Sequence, residues 1–159
     1  MNGEALFLRS GETCLDGPLN ILGDELIVKV GAKSSAMTIM LSTIPPMAGP
    51  PLHRHSREDE AFFVLQGDYL FESDGKQNRV GPGGFVFLPR GTAHTFQNLA
   101  ETTGRVLIIS QPAGIEEFFS KVDRATRGMK QVNMDVVLPI FAQYGIEFLG
   151  PPIGARTNA

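Results

Sequence analysis

The chain has 159 residues, 42% hydrophobic and 19% charged, which suits one domain with a real core and excludes a disordered chain. Its net charge of -3 leaves no basic excess to hold a phosphate backbone, which argues against a nucleic-acid partner. The single cysteine, Cys14, excludes an intramolecular disulfide; it is expected as a small buried side chain of a protein in a reducing, cytoplasmic compartment. No charged n-region precedes a long apolar stretch, so no signal peptide is expected. The longest apolar run, Ala61 to Leu65, falls far short of the ~20 residues of a membrane span, so no membrane association is expected either.

Strands and turns are expected from 5 to 112. Ala5 to Arg9, Leu19 to Val30 (broken near Gly23-Asp24) and Met37 to Ile44 are β-rich. Ala61 to Leu65 and Tyr69 to Glu72 flank Gln66-Gly67-Asp68, a hairpin signal. After a turn at Ser73 to Lys76, Val80 leads through Gly81-Pro82-Gly83-Gly84 into Phe85 to Leu88. Thr95 to Leu99 and Arg105 to Ile109 complete a set of short strands that predicts an all-β sandwich or barrel. The period then changes. Ile115, Phe118, Phe119 and Val122 fall at i, i+3, i+4 and i+7, which predicts a helix near 115 to 125. A second helix is expected from Asp135 to Tyr144, stopping at Gly145, with Pro139 tolerable in or near its first turn. These helices are expected to cover an open end or flank of the β-body, and the tail from Gly150 to Ala159 to be extended or loose. The whole, 1–159, reads as a single domain: β-barrel to about 112, helical segment from 113 to 149, then the tail.

The chemistry sits in Leu52-His53-Arg54-His55-Ser56-Arg57-Glu58-Asp59-Glu60. On a strand, residues i and i+2 share a face, so His53 and His55 point the same way. The polar Ser56 to Asp59 turns the chain and returns Glu60 toward them. Pro89 and Gly91 form a turn that presents His94, the third histidine. Three imidazoles and a carboxylate suit one divalent transition metal (Fe, Mn, Ni, Co, Cu or Zn) and are too rich in nitrogen for Ca or Mg. Four ligands in a roughly octahedral site leave positions open for water, oxygen or substrate. Glu58 and Asp59 are read as solvated turn residues, and Arg54 and Arg57 as surface charges or ion-pair partners.

At this point the sequence resembles the cupin superfamily. The pattern H-x-H-x(3,4)-E-x6-G is matched by His53, His55, Glu60 and Gly67. The pattern G-x5-P-x-G-x2-H-x3-N is matched by Gly83, Pro89, Gly91, His94 and Asn98. The first motif often opens with a Gly where this chain has Met47; Gly49 lies nearby. The resemblance implies a jelly-roll, double-stranded β-helix barrel carrying the C-terminal helices. It also implies a metal on His53, His55, Glu60 and His94, and a homodimer.

Cupins include dioxygenases, decarboxylases, isomerases and binding proteins, so the lining must decide. Alternation from Glu60 turns Phe62 and Val64 inward, Phe96 lies beside His94, and one of Phe85 or Phe87 is expected inside. The expected pocket is apolar, of roughly 300 Å³ or more, the least that a drug-sized ligand needs. Phe62, Phe96 and Asn98 are its candidate substrate contacts, Gln97 or Asn98 stands near its rim, and the helix of Phe118 and Phe119 packs outside, leaving the mouth free. That pocket suits a small aromatic or enolic substrate. The leading expectation is a metal-dependent dioxygenase similar to the quercetinases, with Glu60 as catalytic base. The alternatives are a sensory or binding cupin without turnover, or a cupin isomerase or decarboxylase, which needs a second acid or base in the pocket.

Overall fold

The computed structural model describes residues 5–156. The first β-rich stretch folds as a hairpin of β1 (Leu19–Ile21) and β2 (Asp24–Val30). Its two-residue turn has positive φ at both Leu22 (56°) and Gly23 (105°), the geometry that matches the twist of paired strands. For Leu22 this left-handed conformation is strained, since its Cβ crowds the following carbonyl. There follow β3 (Thr38–Ile44), β4 (Leu52–His55), β5 (Asp59–Gln66), β6 (Tyr69–Ser73), β7 (Lys76–Val80), β8 (Phe85–Leu88), β9 (His94–Asn98) and β10 (Gly104–Gln111). With a late strand β11 (Ile146–Gly150) they make two antiparallel sheets, ordered β1-β2-β3-β10-β5-β8 and β11-β4-β9-β6-β7.

Alternation decides what the sheets enclose. Along β10, Val106, Ile108 and Ser110 are buried while Arg105 and Gln111 face water. Phe62 and Val64 of β5 meet Phe71 of β6 and Phe96 of β9 in the shared core. Neither Phe85 nor Phe87 points inward, contrary to expectation; they are 60% and 57% exposed. The cause is register. Val86 pairs with Phe62 and Leu88 with Glu60, so those two take the inner positions of β8. Phe85 and Phe87 join the half-exposed Phe63 and Leu65 on the outer face. Gly49 does serve the loop before β4: a Cβ there would collide with the Phe96 carbonyl of β9.

Three expectations fail at the N-terminal and C-terminal ends. Ala5 to Arg9 forms no strand, because no neighbouring strand receives its backbone; it is held by Lys29 Nζ, which donates to the Arg9 and Glu12 carbonyls. Cys14 is exposed, although its N–H donates to Val28 O at 2.9 Å. The expected helical segment ends in a strand, and the tail is not loose as far as Arg156; residues 157–159 lie outside the described residues. β11 pairs with β4 along Ile146↔His55 and Phe148↔His53, and the short α3 (Ile153–Arg156) carries Arg156 onto Glu72.

α1 (Ile115–Thr126) and α2 (Met134–Gln143) match the expected positions. Pro139 is the exception, sitting beyond the first turn of α2, where its missing N–H deprives the Asp135 carbonyl of a helical partner. Gly145, at φ 72°, ends the segment as expected. Phe118 stacks edge-on against Phe119 and Phe141, both with centroids 5.0 Å away. Among the described residues no helix is long and apolar enough to cross a membrane.

Glu116 fastens α1 to the sheet. Its buried carboxylate accepts from Ala32 N (2.6 Å), Thr38 Oγ1 (2.5 Å) and Gly114 N (3.0 Å). Burial pushes its pKa up, but these hydrogen bonds outweigh burial and hold it below the ordinary value. A depressed acid stabilises the fold above its unfolded pKa, near 4.5, and loses that contribution as pH falls through the folded value. Glu116→Gln is therefore expected to cost about 1–3 kcal/mol at pH 7. The loss should shrink below pH 4, as read by urea unfolding at both pH values.

Candidate metal centre

The two sheets bring the four candidate ligands together. His53 and His55 point inward from β4, and His94 opens β9 directly opposite His53. Glu60 comes from the other sheet, on β5 between Ser110 of β10 and Leu88 of β8. Their ligand atoms all lie within 4.8 Å of one another. That is close to the ~4.2 Å spanned by opposite ligands on one ion at ~2.1 Å. The ring centroids stand 4.4 Å apart for His53 and His94, and 4.9 Å for His53 and His55.

Hydrogen bonds on the far sides of the rings set their tautomers. His53 Nδ1 is 2.8 Å from Pro51 O and His94 Nδ1 is 3.0 Å from Thr92 O. A carbonyl only accepts, so both rings carry their proton on Nδ1 and turn an Nε2 lone pair toward the cluster. Glu58 takes the same place for His55, with Oε2 3.3 Å from Nδ1. His94 Nε2 then faces Glu60 Oε2 at 3.0 Å, and His55 Nε2 faces it at 3.3 Å. Lone pairs this close to a carboxylate repel unless a cation lies among them. The donor set thus fits a transition metal, which His53, His55, Glu60 and His94 would hold.

The electrostatics agree. Burial, helped by the neighbouring His94 and His55 rings, lowers the His53 pKa to about 3, leaving a neutral imidazole. Burial works against a charge on His55, but Glu60 and Glu58 raise its pKa. Burial would raise the Glu60 pKa, whereas positive charge among the facing rings, at His55 and His94 first, lowers it. Ser110 Oγ donates to Glu60 Oε1 at 3.2 Å and fixes the carboxylate. The turn between the ligands is anchored too, since the Ser56 N–H and Oγ both bond Gly145 O.

Several expectations change here. Glu58 is buried beside His55, not solvated; Asp59 is the outward residue, paired with Arg90 at 2.8 Å. Asn98 does not line the cavity. It is fully buried, its Nδ2 donates to the Thr102, Ile44 and Pro45 carbonyls, and it shapes a turn. Gln97 donates to Met47 O beside a neighbouring cavity. Phe62 and Phe96 do line the cavity above the cluster. The helices do not leave its mouth free: Phe118, Phe119 and Val122 of α1 and Phe141 of α2 form part of its wall. The space is about 100 Å³, smaller than expected.

Sequence reasoning also missed Asp24, which follows the Leu22-Gly23 turn and lines the same cavity. Only its place in the folded hairpin reveals it. Burial raises its pKa to about 7, and its carboxylate has no hydrogen-bond or ion-pair partner among the described residues.

Two outcomes are expected. His55→Ala should weaken Zn(II) or Co(II) binding at least tenfold in a calorimetric titration. Full retained affinity would refute the ligand assignment. Asp24 bears on stability with the opposite sign from Glu116. An acid with a raised folded pKa costs nothing below its unfolded value near 3.8, and its cost grows to full size as pH rises past about 7. Asp24→Asn should therefore raise stability at pH 8 by about 1–3 kcal/mol and change little at pH 4, as read from thermal unfolding.

Comparison with known proteins follows this geometry. Residues 40–110, which include all four candidate ligands, match the Cupin domain family. The oxalate-binding protein of Thermotoga maritima is 25% identical over 107 residues, covering 63% of this chain and 88% of that protein. Quercetin 2,3-dioxygenase of Bacillus subtilis is 29% identical over 115 residues, covering 70% of this chain but only 33% of the enzyme. An RmlC-like cupin from Shewanella frigidimarina shares the fold with a TM-score of 0.61, over 72% of this chain and 96% of that one, at 17% identity. The fold, the matched segment and the motif residues agree: residues 40–110 of this chain form a Cupin domain.

Proposed function

We propose that this chain is a metal-dependent dioxygenase acting on a small aromatic or enolic compound. The observation that supports it is the His53–His55–Glu60–His94 cluster at the base of a cavity walled by Phe62, Phe96, Phe118, Phe119 and Phe141. No Lys or Arg lines that cavity among the described residues, so a sugar phosphate or small dicarboxylate would meet no counter-charge. The space of about 100 Å³ is below the ~150 Å³ that takes a benzene ring, so a substituted single ring would also extend into the adjoining space. A three-ring flavonol would also need the adjoining cavity of about 290 Å³ behind Leu22, Pro50 and Phe96.

A metal held by the four residues would supply a Lewis acid for an enolate oxygen and orient it toward dioxygen. The protein's own part is proton handling and exclusion of water. Glu60, fixed by Ser110, accepts the substrate's hydroxyl proton. The aromatic walls hold the ring flat and keep bulk water out. A homodimer belongs to the same reading, supported by the apolar outer face carrying Phe63, Phe85 and Phe87.

Two other readings each have an observation in their favour. The oxalate-binding relative supports a cupin that binds without turnover. Asp24 supplies the second acid or base that an isomerase or decarboxylase needs. Metal analysis of the purified protein, then oxygen uptake with one-ring enols and with flavonols, separates the three. Oxygen consumption is expected, and Glu60→Gln should lower it ~100-fold or more while leaving partial metal binding. Unchanged turnover in that variant rejects Glu60 as base. Tight ligand binding with no oxygen uptake and no product favours the binding cupin.

A further inference from the structure

We propose that Asp24 reads the ligand's far end: it selects a neutral or cationic hydrogen-bond donor, a hydroxyl or amine, and turns away anions. The inference rests on the metal-site reading above and adds the chemistry of the substrate's second end. Apart from His53, His55 and Glu60 of the cluster, Asp24 is the one charged side chain that lines the cavity among the described residues, and Ser42 the one other polar side chain. The rest of the wall is hydrocarbon. Asp24 also lines the adjoining cavity, together with Ile21, Leu22, Pro50 and Phe96, so it borders both spaces.

Its position is enforced by the backbone. Asp24 opens β2 immediately after the strained Leu22 and Gly23, and Ile21↔Asp24 is the last pair of the hairpin. Nothing in the described protein satisfies its carboxylate, although burial makes an unpaired acid costly. A strained turn that holds an unsatisfied acid against a cavity is a device for a ligand, whose hydroxyl or ammonium supplies the missing bond. The same burial makes an approaching carboxylate or phosphate repulsive, with no cation in the wall to offset it.

Three hydroxypyranones that share one enolic head and differ at one substituent provide the test: allomaltol (methyl), kojic acid (hydroxymethyl) and comenic acid (carboxylate). Each is titrated by calorimetry at pH 7.5 into the full chain loaded with redox-silent Zn(II), free metal removed. Wild type should bind kojic acid ~10-fold more tightly than allomaltol, and comenic acid ~10-fold or more weakly. Asp24→Ala should bring kojic acid and allomaltol to equal affinity. Asp24→Asn should keep much of the hydroxyl preference, lift the penalty on comenic acid, and carry the test should the alanine variant not fold. If all three bind with the same ratios in wild type and variants, or wild type does not discriminate, the Asp24 proposal is overturned while the metal reading stands. If allomaltol fails to bind wild type, or binds His55→Ala equally well, the metal-site reading fails and this proposal falls with it.

Discussion

A carboxylate and three imidazole lone pairs crowded into a dry interior repel one another, and the whole β-body is arranged to hold them there. Glu60 comes from the six-stranded sheet and the histidines from the five-stranded one, so the cluster exists only when the sheets close. Each member is braced from behind. Pro51 O, Thr92 O and Glu58 fix the rings, and Ser110 fixes the carboxylate. Such bracing lets the fold supply a preorganised set of donors. The aromatic layer above, Phe62 with Phe71 and Phe96 at centroid distances between 5.3 and 5.8 Å, keeps water from dissipating that charge.

The candidate ligands were legible because their chemistry is local. A two-residue spacing on a strand and a turn that returns Glu60 need no tertiary knowledge, and all three histidines of the chain fall in the motifs. Strand parity likewise placed Phe62, Val64 and Phe96. What escaped depends on partners. Phe85 and Phe87 look like core residues until pairing with β5 fixes the register. Ala5 to Arg9 has strand composition and no strand to pair with. Amphipathicity marked the buried face of α1 but not what covers it, so the wall made by Phe118 and Phe119 stayed hidden. Ile146 to Gly150 shows little alternation and becomes a strand because β4 has an open edge.

The same interior shows where stability has been given up. Tyr69 is fully buried with its hydroxyl unpartnered, and Asp24 stands near enough to add to the rise in its pKa that burial causes. Glu116 and Asn98 show the opposite case, buried polar groups with several partners each. Asp24, left at the cavity without a partner among the described residues, contrasts with that thrift, and a protein that only needed to fold would gain by replacing it.

The pairing of β11 with β4 bears on how the protein is made. His53 and His55 leave the ribosome early, yet the strand that covers their edge is synthesised only after both long helices. Until then β4 is an open edge, with exposed backbone groups and two metal-seeking rings, and it is vulnerable to wrong partners and wrong ions. Closure of that edge by β11 therefore has to wait until the segment after both helices has been made and has docked.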